Sequence, residues 1–384
     1  SLVGSEMCIR DSINMGNKKA KRAYLVLADG TVFHGYSMGA AGETVGEVVF
    51  NTCTASYQSL LSDPTYYGQI VAQTYPLVGN RGVEEENAAS NIMANGYIAR
   101  EWYDTPCTGD GSLTLDEYLR RRNIVGICGI DTRRLTRALR DKGYFNGAIT
   151  DSLQDFDALL RRIKAYTISG AVEAVTIREP EKIPAENPLY RVTVIDCGFP
   201  RYVLKALTRR GCELTLVPAF TGAQEILAGK PDGVIFSDGP GDPDDAPCLI
   251  DCAKALLESK IPLFGVGLGH QVMALAAGCT VVKMPKGHRG SNQPVRILDT
   301  GRIMVTTQNH GYSVAAQSIP HGMAEMTMAN VNDGAVEGIA YCNAPAFSVE
   351  FTPSDGSGRQ DTAWIYDAFI DRMKGARRNE AARD

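Results

Sequence analysis

The sequence has no apolar run of the roughly 20 residues that a membrane-spanning helix requires, and it has no excess of positive charge. Its formal net charge is -5 at pH 7, with 39 lysines and arginines against 44 acidic residues. The arginine-rich stretches 120–122 and 133–140 are short, and their composition is typical of solvent-facing helices rather than of a basic stripe that binds nucleic acid. We therefore expect neither nucleic acid nor a membrane among the partners of the chain.

The 10 cysteines lack the paired spacing of a disulfide framework. Many of them lie in apolar or strand-like runs, which favours reduced, packed thiols and a cytoplasmic protein. Cys248 and Cys252 are four residues apart on a predicted helix and could share a metal ion, but no cluster of further His or Cys ligands accompanies them. We assign no metal site and no cofactor from the sequence.

The chain is predicted to contain two domains joined by a linker. Residues 1–14 resemble a translated sequencing adapter, so we exclude them from fold reasoning and expect Met15 to be the true start. Short alternating strands with Asp-Gly and Gly-rich turns predict a β-rich domain over 15–150. A predicted helix and a charged stretch with three prolines follow over 151–189, which marks the boundary between domains.

Strand and helix patterns alternate over 190–379, ahead of a short tail at 380–384. This alternation predicts a doubly wound parallel sheet with helices on both faces. Ligands of such sheets bind beyond the carboxyl ends of the strands. The functional site is therefore expected in the loops that follow those strands.

One such loop is the stretch GVGLGHQ, residues 265–271, between a predicted buried strand and a predicted helix that begins at Leu268. This strand-turn-helix corner is typical of an elbow that presents a nucleophile, with flanking glycines that prevent collisions in a strained turn. The central residue is Gly267, which has no side chain. A second loop, SDGPGDP at 237–243, has glycines whose N–H groups could face a substrate carbonyl, although its composition alone is that of an ordinary turn.

Motifs over residues 23–374 resemble the small subunit of carbamoyl-phosphate synthase, a class I glutamine amidotransferase. In the first half they are LADGTVFHG, GEVVFNT, YQSLLSDPTYYGQIV, TYPLVGN and GIDTRRLTR; in the second half they are VIDCG, SDGPGDP, LGHQ, GHRGSNQPV and TQNHGYSV. The resemblance implies an α/β chain, with a β-rich N-terminal domain followed by a doubly wound class I glutamine amidotransferase domain. It also implies docking to a large subunit and a place in arginine or pyrimidine synthesis.

The resemblance implies that the catalytic triad of the family is replaced in this chain. The family elbow reads Gly-x-Cys-x-Gly-His-Gln, and its cysteine attacks the side-chain amide of glutamine; Gly267 occupies that position here. The family's His-Pro-Glu, in which His is the base and Glu orients it, corresponds to Thr352, Pro353 and Ser354. Loss of such a catalytic unit typically costs on the order of 10⁶-fold in turnover, so we expect glutaminase activity to be absent.

The resemblance also identifies the positions that would hold L-glutamine. They are occupied by Thr65, Gly239, Gly241, Leu268, Gln271, Asn309, Gly311 and Tyr312. Thr65 stands where the family has Ser, and Tyr312 stands where it commonly has Phe. Both replacements are similar enough in size and polarity for the pocket to accept an amino acid. Asp238 replaces an Asn and adds a negative charge beside the carboxylate of any bound glutamine, which disfavours binding. On residue type alone, a structural role is as plausible as glutamine binding: Gln271 could cap or line a helix, and Asn309 could hold a turn. The sequence therefore does not decide whether glutamine binds.

Three functions remain open from the sequence. The favoured one is a small subunit that docks the large subunit without hydrolysing glutamine; because the chain has no phosphate-binding loop ending in Lys-Ser/Thr, ATP chemistry is assigned to the partner. The second is a non-catalytic glutamine-binding or regulatory paralogue that competes with an active small subunit. The third is a glutaminase with Thr352 or Ser354 as nucleophile and His270 or His310 as base. It ranks last because neither hydroxyl lies on the elbow.

Overall fold

The computed structural model describes most of the chain in two compact units. The described residues are 21–53, 57–83, 93–103, 113–143, 145–198, 201–354 and 361–381. The first unit contains the described residues up to Ser62 together with Gly68–Thr167, and the second contains Asp63–Tyr67 and the described residues from Ile168 onward. None of the helices in these parts of the chain is long and apolar enough to cross a membrane.

The first unit is built around a closed β-barrel. Its strands are β1 (Arg22–Leu27), β2 (Val32–Gly39), β3 (Thr44–Asn51), β4 (Gln69–Gln73), β5 (Leu77–Val78), β6 (Gly96–Ile98), β7 (Glu101–Trp102), β8 (Val125–Cys128) and β9 (Phe145–Thr150). The barrel order is β1-β2-β8-β6-β4-β3-β9, and β5 pairs with β7 separately. Its helices are α1 (Tyr57–Ser62), α2 (Leu115–Arg121), α3 (Thr132–Lys142) and α4 (Phe156–Ala165). The prediction of a strand-rich N-terminal domain is confirmed.

The segment predicted as a linker, 151–189, is divided between the two units. Leu159 and Ile163 on α4 pack against Val26 and Ala148 of the barrel strands, and all four side chains are buried. Since this apolar face is covered by the barrel, α4 belongs to the first unit.

The second unit contains one large mixed sheet. Its strands are β10 (Glu181–Ile183), β11 (Tyr190–Asp196), β12 (Cys212–Pro218), β13 (Gly233–Phe236), β14 (Leu263–Val266), β15 (Val281–Ile297), β16 (Ile303–Val314), β17 (Ala324–Asn330), β18 (Val336–Tyr341) and β19 (Ala346–Val349). Their order is β10-β12-β11-β13-β14-β19-β18-β17-β15-β16. Strands β12, β11, β13, β14 and β19 are mutually parallel, and the others join antiparallel.

Helices cover both faces of this sheet. They are α5 (Ala171–Val175), α6 (Arg201–Thr208), α7 (Ala223–Ala228), α8 (Pro247–Ser259), α9 (Leu268–Ala276) and α10 (Trp364–Ala381). On one face Val272 of α9 belongs to the same apolar core as Phe236 of β13. On the other face Leu207 of α6 and Phe369 of α10 share a core with Phe264 of β14. The doubly wound fold predicted from the alternating pattern is confirmed.

The sequence pattern predicts two separate strands at 281–284 and 295–298, where the structure has the single long strand β15. The structure joins them into one strand that contains register shifts against β16. Gly290 in its middle has a φ of 126°, which an L side chain rarely adopts. Such irregularities break the alternation of apolar and polar residues, so the sequence pattern is lost where the backbone pairing continues.

Phe264 provides a direct test of the second core. Its ring is fully buried, stacks on Phe347 at 4.8 Å between centroids and contacts Tyr366 and Phe369. Phe264→Ala should lower the free energy of unfolding by about 3–5 kcal/mol because it leaves a cavity. Chemical denaturation followed by Trp364 fluorescence in a Trp102→Phe background would report the second unit.

The matched control for this prediction is Phe220→Ala, because Phe220 is 47% exposed. It should change the free energy of unfolding by about 0.5 kcal/mol or less. Equal losses in the two variants would contradict the described core.

Candidate active site

The candidate site lies where three neighbouring parallel strands of the second unit end. Gly239 follows β13, Gly267 follows β14 and Thr352 follows β19. Strands β13, β14 and β19 are adjacent in the sheet, so their carboxyl ends bring these residues to one edge. This placement is the one that a doubly wound sheet predicts for a ligand site.

Gly267 forms the turn between β14 and α9. Its backbone has φ 52° and ψ -114°, a conformation that favours glycine. Its N–H donates to the carbonyl of Val349 at 2.9 Å, which ties the turn to β19. The stretch is therefore an elbow whose central residue presents only backbone.

The side chain of Asp238 fills the space beside this elbow. A Cβ placed on Gly267 would lie 2.0 Å from Asp238 Oδ1 and 2.3 Å from its Cγ. Distances this short are not possible between non-bonded atoms, so residue 267 can carry a side chain only if Asp238 moves.

Asp238 is held in this position by convergent donors. Its Oδ1 accepts hydrogen bonds from the N–H of Gly239 at 2.8 Å and from the N–H of Leu268 at 3.2 Å. Its Oδ2 accepts a hydrogen bond from the hydroxyl of Thr352 at 3.1 Å. Two backbone N–H groups that meet at one oxygen beside an elbow have the geometry of an oxyanion hole. In this chain both donate to the carboxylate of Asp238.

The buried position perturbs the Asp238 carboxyl. Burial, followed by repulsion from Asp63, raises its pKa to about 7, against the opposing effect of the three hydrogen bonds. The group therefore changes its charge near neutral pH. A charge here lies directly between the two backbone donors.

Of the three residues that the sequence resemblance assigns to the triad positions, two are linked through Asp238 in the structure. Gly267 lies against the Asp238 carboxylate and Thr352 donates to it. Ser354, the third residue, has a different partner: its N–H donates to Thr362 Oγ1 at 2.8 Å. Its own Oγ is buried and makes no hydrogen bond within the part of the chain that the structure describes.

The residues predicted to hold glutamine fall into three sets. Gly239 and Leu268 contact Asp238, as described above. Thr65 lies in the short turn Pro64–Tyr66 of the second unit and accepts a hydrogen bond from Asn309 Nδ2.

The third set involves Gln271, whose Nε2 donates to the Tyr312 carbonyl at 3.3 Å. Gly241 lies in the same loop as Asp238 with a φ of 93°, and Gly311 lies on β16 between Asn309 and Tyr312. The Oδ1 atom of Asn309 is buried without a hydrogen bond to any described residue. This acceptor is available to a ligand.

Glu350 is a site residue that sequence reasoning missed. Its position in the sequence predicts a charge at a strand end. The structure shows that the side chain is fully buried, with Oε1 accepting from Gln271 Nε2 at 2.7 Å. Burial, followed by repulsion from Glu337, raises its pKa well above the ordinary value. Glu350 directly follows β19, and Gln271 on α9 supplies a donor to its buried carboxyl group.

His270 is also buried, and its environment keeps it neutral. Burial lowers its pKa to about 3, and its Nδ1 lies 2.8 Å from Ser348 Oγ. Its Nε2 faces Glu350 Oε2 at 3.6 Å. His310 Nδ1 lies 2.7 Å from the Tyr312 carbonyl. Within the described chain, no hydrogen bond joins either histidine to Thr352 or Ser354, the hydroxyls of the rearranged-triad hypothesis.

The ionisation of Asp238 predicts a pH-dependent stability. Between about pH 4 and pH 7 the folded chain keeps a proton on Asp238 that the unfolded chain releases, so the free energy of unfolding falls as pH rises. The full cost, about 4 kcal/mol, applies above pH 7. Asp238→Asn keeps the acceptor oxygen without the charge, so its advantage over the parent chain should grow between pH 4 and pH 8. Chemical denaturation at several pH values measures it.

The control for this comparison is Asp251→Asn, an exposed position on α8. Its difference from the parent chain should stay constant with pH. A constant difference for Asp238→Asn as well would contradict the buried, proton-binding carboxyl.

Comparisons with known proteins agree with the fold of both units. Residues 25–149 match the carbamoyl-phosphate synthase small chain, CPSase domain, and residues 193–372 match glutamine amidotransferase class-I. The carbamoyl phosphate synthase small chain of Polynucleobacter asymbioticus is 41% identical over 93% of this chain and 97% of its own length. The protein of the same name from Syntrophotalea carbinolica is 41% identical over 94% of this chain and 100% of its own.

A third relative, the carbamoyl phosphate synthase small chain of Bacillus cereus, is 41% identical over 90% of this chain and 94% of its own length. Similarity at this level spans both units and nearly the whole of each relative. The chain therefore belongs to the carbamoyl-phosphate synthase small chain family, with that family's N-terminal domain followed by a class I glutamine amidotransferase domain.

Proposed function

We propose that the chain is a cytoplasmic small subunit of carbamoyl-phosphate synthase that docks the large subunit but does not hydrolyse glutamine. The match of residues 25–149 to the small-chain domain supports the docking role. The observation that carries the loss of activity is the Asp238 carboxylate, which lies 2.0 Å from the position of a Cβ on Gly267.

Hydrolysis of a side-chain amide by this family requires a nucleophile on the elbow, a base beside it and donors for the oxyanion. Gly267 supplies no nucleophile, and the hydroxyl of Thr352 is not a base at neutral pH. Gly239 and Leu268 N–H groups donate to Asp238. A carboxylate between those donors would also repel the negative charge that develops on the substrate oxygen. The three deficits act on the same step.

In this proposal the large subunit carries the ATP chemistry and uses free ammonia. The small chain then contributes its docking surface, and the carbamoyl phosphate enters arginine or pyrimidine synthesis. A regulatory paralogue that binds glutamine is the second candidate, and the buried, unbonded Oδ1 of Asn309 favours it within the described residues. Both candidates share the catalytically inactive elbow.

Reconstitution with the large subunit from the same genome tests the main proposal. The mixture should form carbamoyl phosphate from ammonium at the rate of the large subunit alone or above it, and glutamine at equal concentration should give no more than background. Co-elution of the two chains in size-exclusion chromatography tests docking separately. Comparable rates with glutamine would contradict the loss of glutaminase activity, and separate elution would contradict docking.

Stepwise restoration of the triad tests the obstructive role of Asp238. In the triple variant Gly267→Cys, Thr352→His, Ser354→Glu, the new side chain displaces the Asp238 carboxylate from its present position. The negative charge still lies near the thiol and the oxyanion donors, so ammonia release from glutamine should stay close to background. Adding Asp238→Asn removes the charge and lets the side chain rotate away, and ammonia release should rise by roughly 10²-fold or more, the typical contribution of oxyanion donors. Glutamate dehydrogenase-coupled detection of ammonia measures both variants.

Equal activity of the triple and quadruple variants would contradict an obstructive Asp238. Circular dichroism spectra of the two proteins are the control for folding. The comparison differs by a single carboxylate, so it isolates that group.

A further inference from the structure

A second polar cluster of the second unit lies outside the elbow, on the antiparallel part of the sheet. His288 on β15, His310 on β16 and Glu337 on β18 are all buried, and one ligating atom from each lies within 4.8 Å of the other two. His288 and His310 are paired partners across β15 and β16, and their rings meet edge to face at 5.0 Å. The sequence does not reveal the cluster, because strand pairing joins residues that are far apart in the chain.

Both ring nitrogens of His310 face hydrogen-bond acceptors, so one donor or cation is lacking around this ring. Its Nδ1 lies 2.7 Å from the Tyr312 carbonyl and its Nε2 lies 3.0 Å from Gln308 Oε1. Both neighbours are acceptors, whereas a neutral imidazole has a single N–H. Either tautomer therefore places two acceptors in contact.

Reversing the Gln308 amide does not remove the conflict. Its Nε2 donates to Glu337 Oε2 at 2.8 Å, so the reversed amide would place its oxygen against that carboxylate. Each arrangement needs one additional cation or proton between His310 and Glu337.

His288 is arranged as a metal-binding histidine commonly is. Its Nε2 lies 2.9 Å from Asp333 Oδ2, which fixes the ring and directs Nδ1 towards Glu337 Oε1, 3.4 Å away. A carboxylate on the outer nitrogen of a ligating histidine is a frequent feature of zinc sites. Asn330 Nδ2, at 3.4 Å from Nδ1, is a weak competing donor, and it also donates to Glu337 Oε1 at 2.9 Å.

We propose that His288 Nδ1, His310 Nε2 and the Glu337 carboxylate bind a Zn²⁺ ion, with Asp333 as the positioning residue for His288. Two imidazoles and one carboxylate suit zinc better than Mg²⁺ or Ca²⁺, which prefer oxygen ligands. Zn–N distances of about 2.0–2.1 Å require the ligating atoms to draw closer, and rotation of the three side chains can do this. The fourth position would remain for water or for Gln308 Oε1.

The ion would join β15, β16 and β18, and β16 also carries Asn309 and Tyr312. It would thus stabilise one wall of the candidate glutamine site, and this role is independent of whether the elbow is active. Metal binding can therefore be tested without any activity measurement.

The test uses the untagged, full-length chain after treatment with a chelator. Titration with Zn²⁺, followed by elemental analysis, should give about one ion per chain, and Zn²⁺ but not Mg²⁺ should raise the thermal unfolding midpoint. Cys248 and Cys342 are exposed thiols that could bind zinc adventitiously. Both are therefore replaced by serine in the protein used.

Variants assign the ligands. Glu337→Gln, which removes the anionic ligand, should weaken Zn²⁺ binding by about 100-fold or more, and Asp333→Asn should weaken it by about 10–100-fold. His321→Asn changes an exposed histidine and should leave the affinity unchanged. Should Glu337→Gln fail to fold, Co²⁺ absorption of the parent chain still identifies a low-coordinate site with nitrogen and oxygen ligands.

Two results would overturn the proposal. One is Zn²⁺ binding that is equally strong in the parent chain, Glu337→Gln and Asp333→Asn, which would make the ion adventitious. The other is no stoichiometric binding by the parent chain, which would mean that a proton satisfies the cluster.

Discussion

The carboxylate of Asp238 determines what the elbow can hold. It lies between the N–H groups of Gly239 and Leu268 and against the Cα of Gly267, and Thr352 donates to its other oxygen. A side chain at position 267 and this orientation of Asp238 exclude each other by simple overlap. The glycine, the aspartate and the threonine therefore form one structural unit.

This unit has opposing energetic terms. Desolvation of a buried carboxylate is unfavourable, and it is reflected in the raised pKa of Asp238. Two backbone donors and a hydroxyl offset part of that cost, since hydrogen bonds to a charged group are stronger than neutral ones. Glycine at position 267 also adopts its positive φ without the strain that another residue would bear. The elbow conformation is retained while its donors bind an internal group.

The sequence predicts the architecture of this site well and its contents poorly. The alternation of strand and helix predicts the parallel sheet, and parallel strands bring Gly239, Gly267 and Thr352 to one edge. The residue types predict a negative charge from Asp238 near a bound ligand, but they do not predict its contact with Gly267. They also do not predict that Gln271 donates to a buried Glu350. Side-chain orientation depends on neighbours from several strand ends, which the sequence pattern does not reveal.

The sequence pattern also did not predict which residues the antiparallel strands bring into contact. The register of β15, β16 and β18 brings together His288, His310 and Glu337. Because the pairing of these strands is irregular, the alternation of apolar and polar residues does not predict that register. Likewise, α4 belongs to the first unit because its apolar face packs on barrel strands.

The most direct test of the account is a crystal structure of the chain soaked with glutamine at neutral pH. The account predicts the Asp238 carboxylate between the N–H groups of Gly239 and Leu268, with no glutamine amide oxygen there. A glutamine amide bound to those two donors, with Asp238 rotated away, would contradict it.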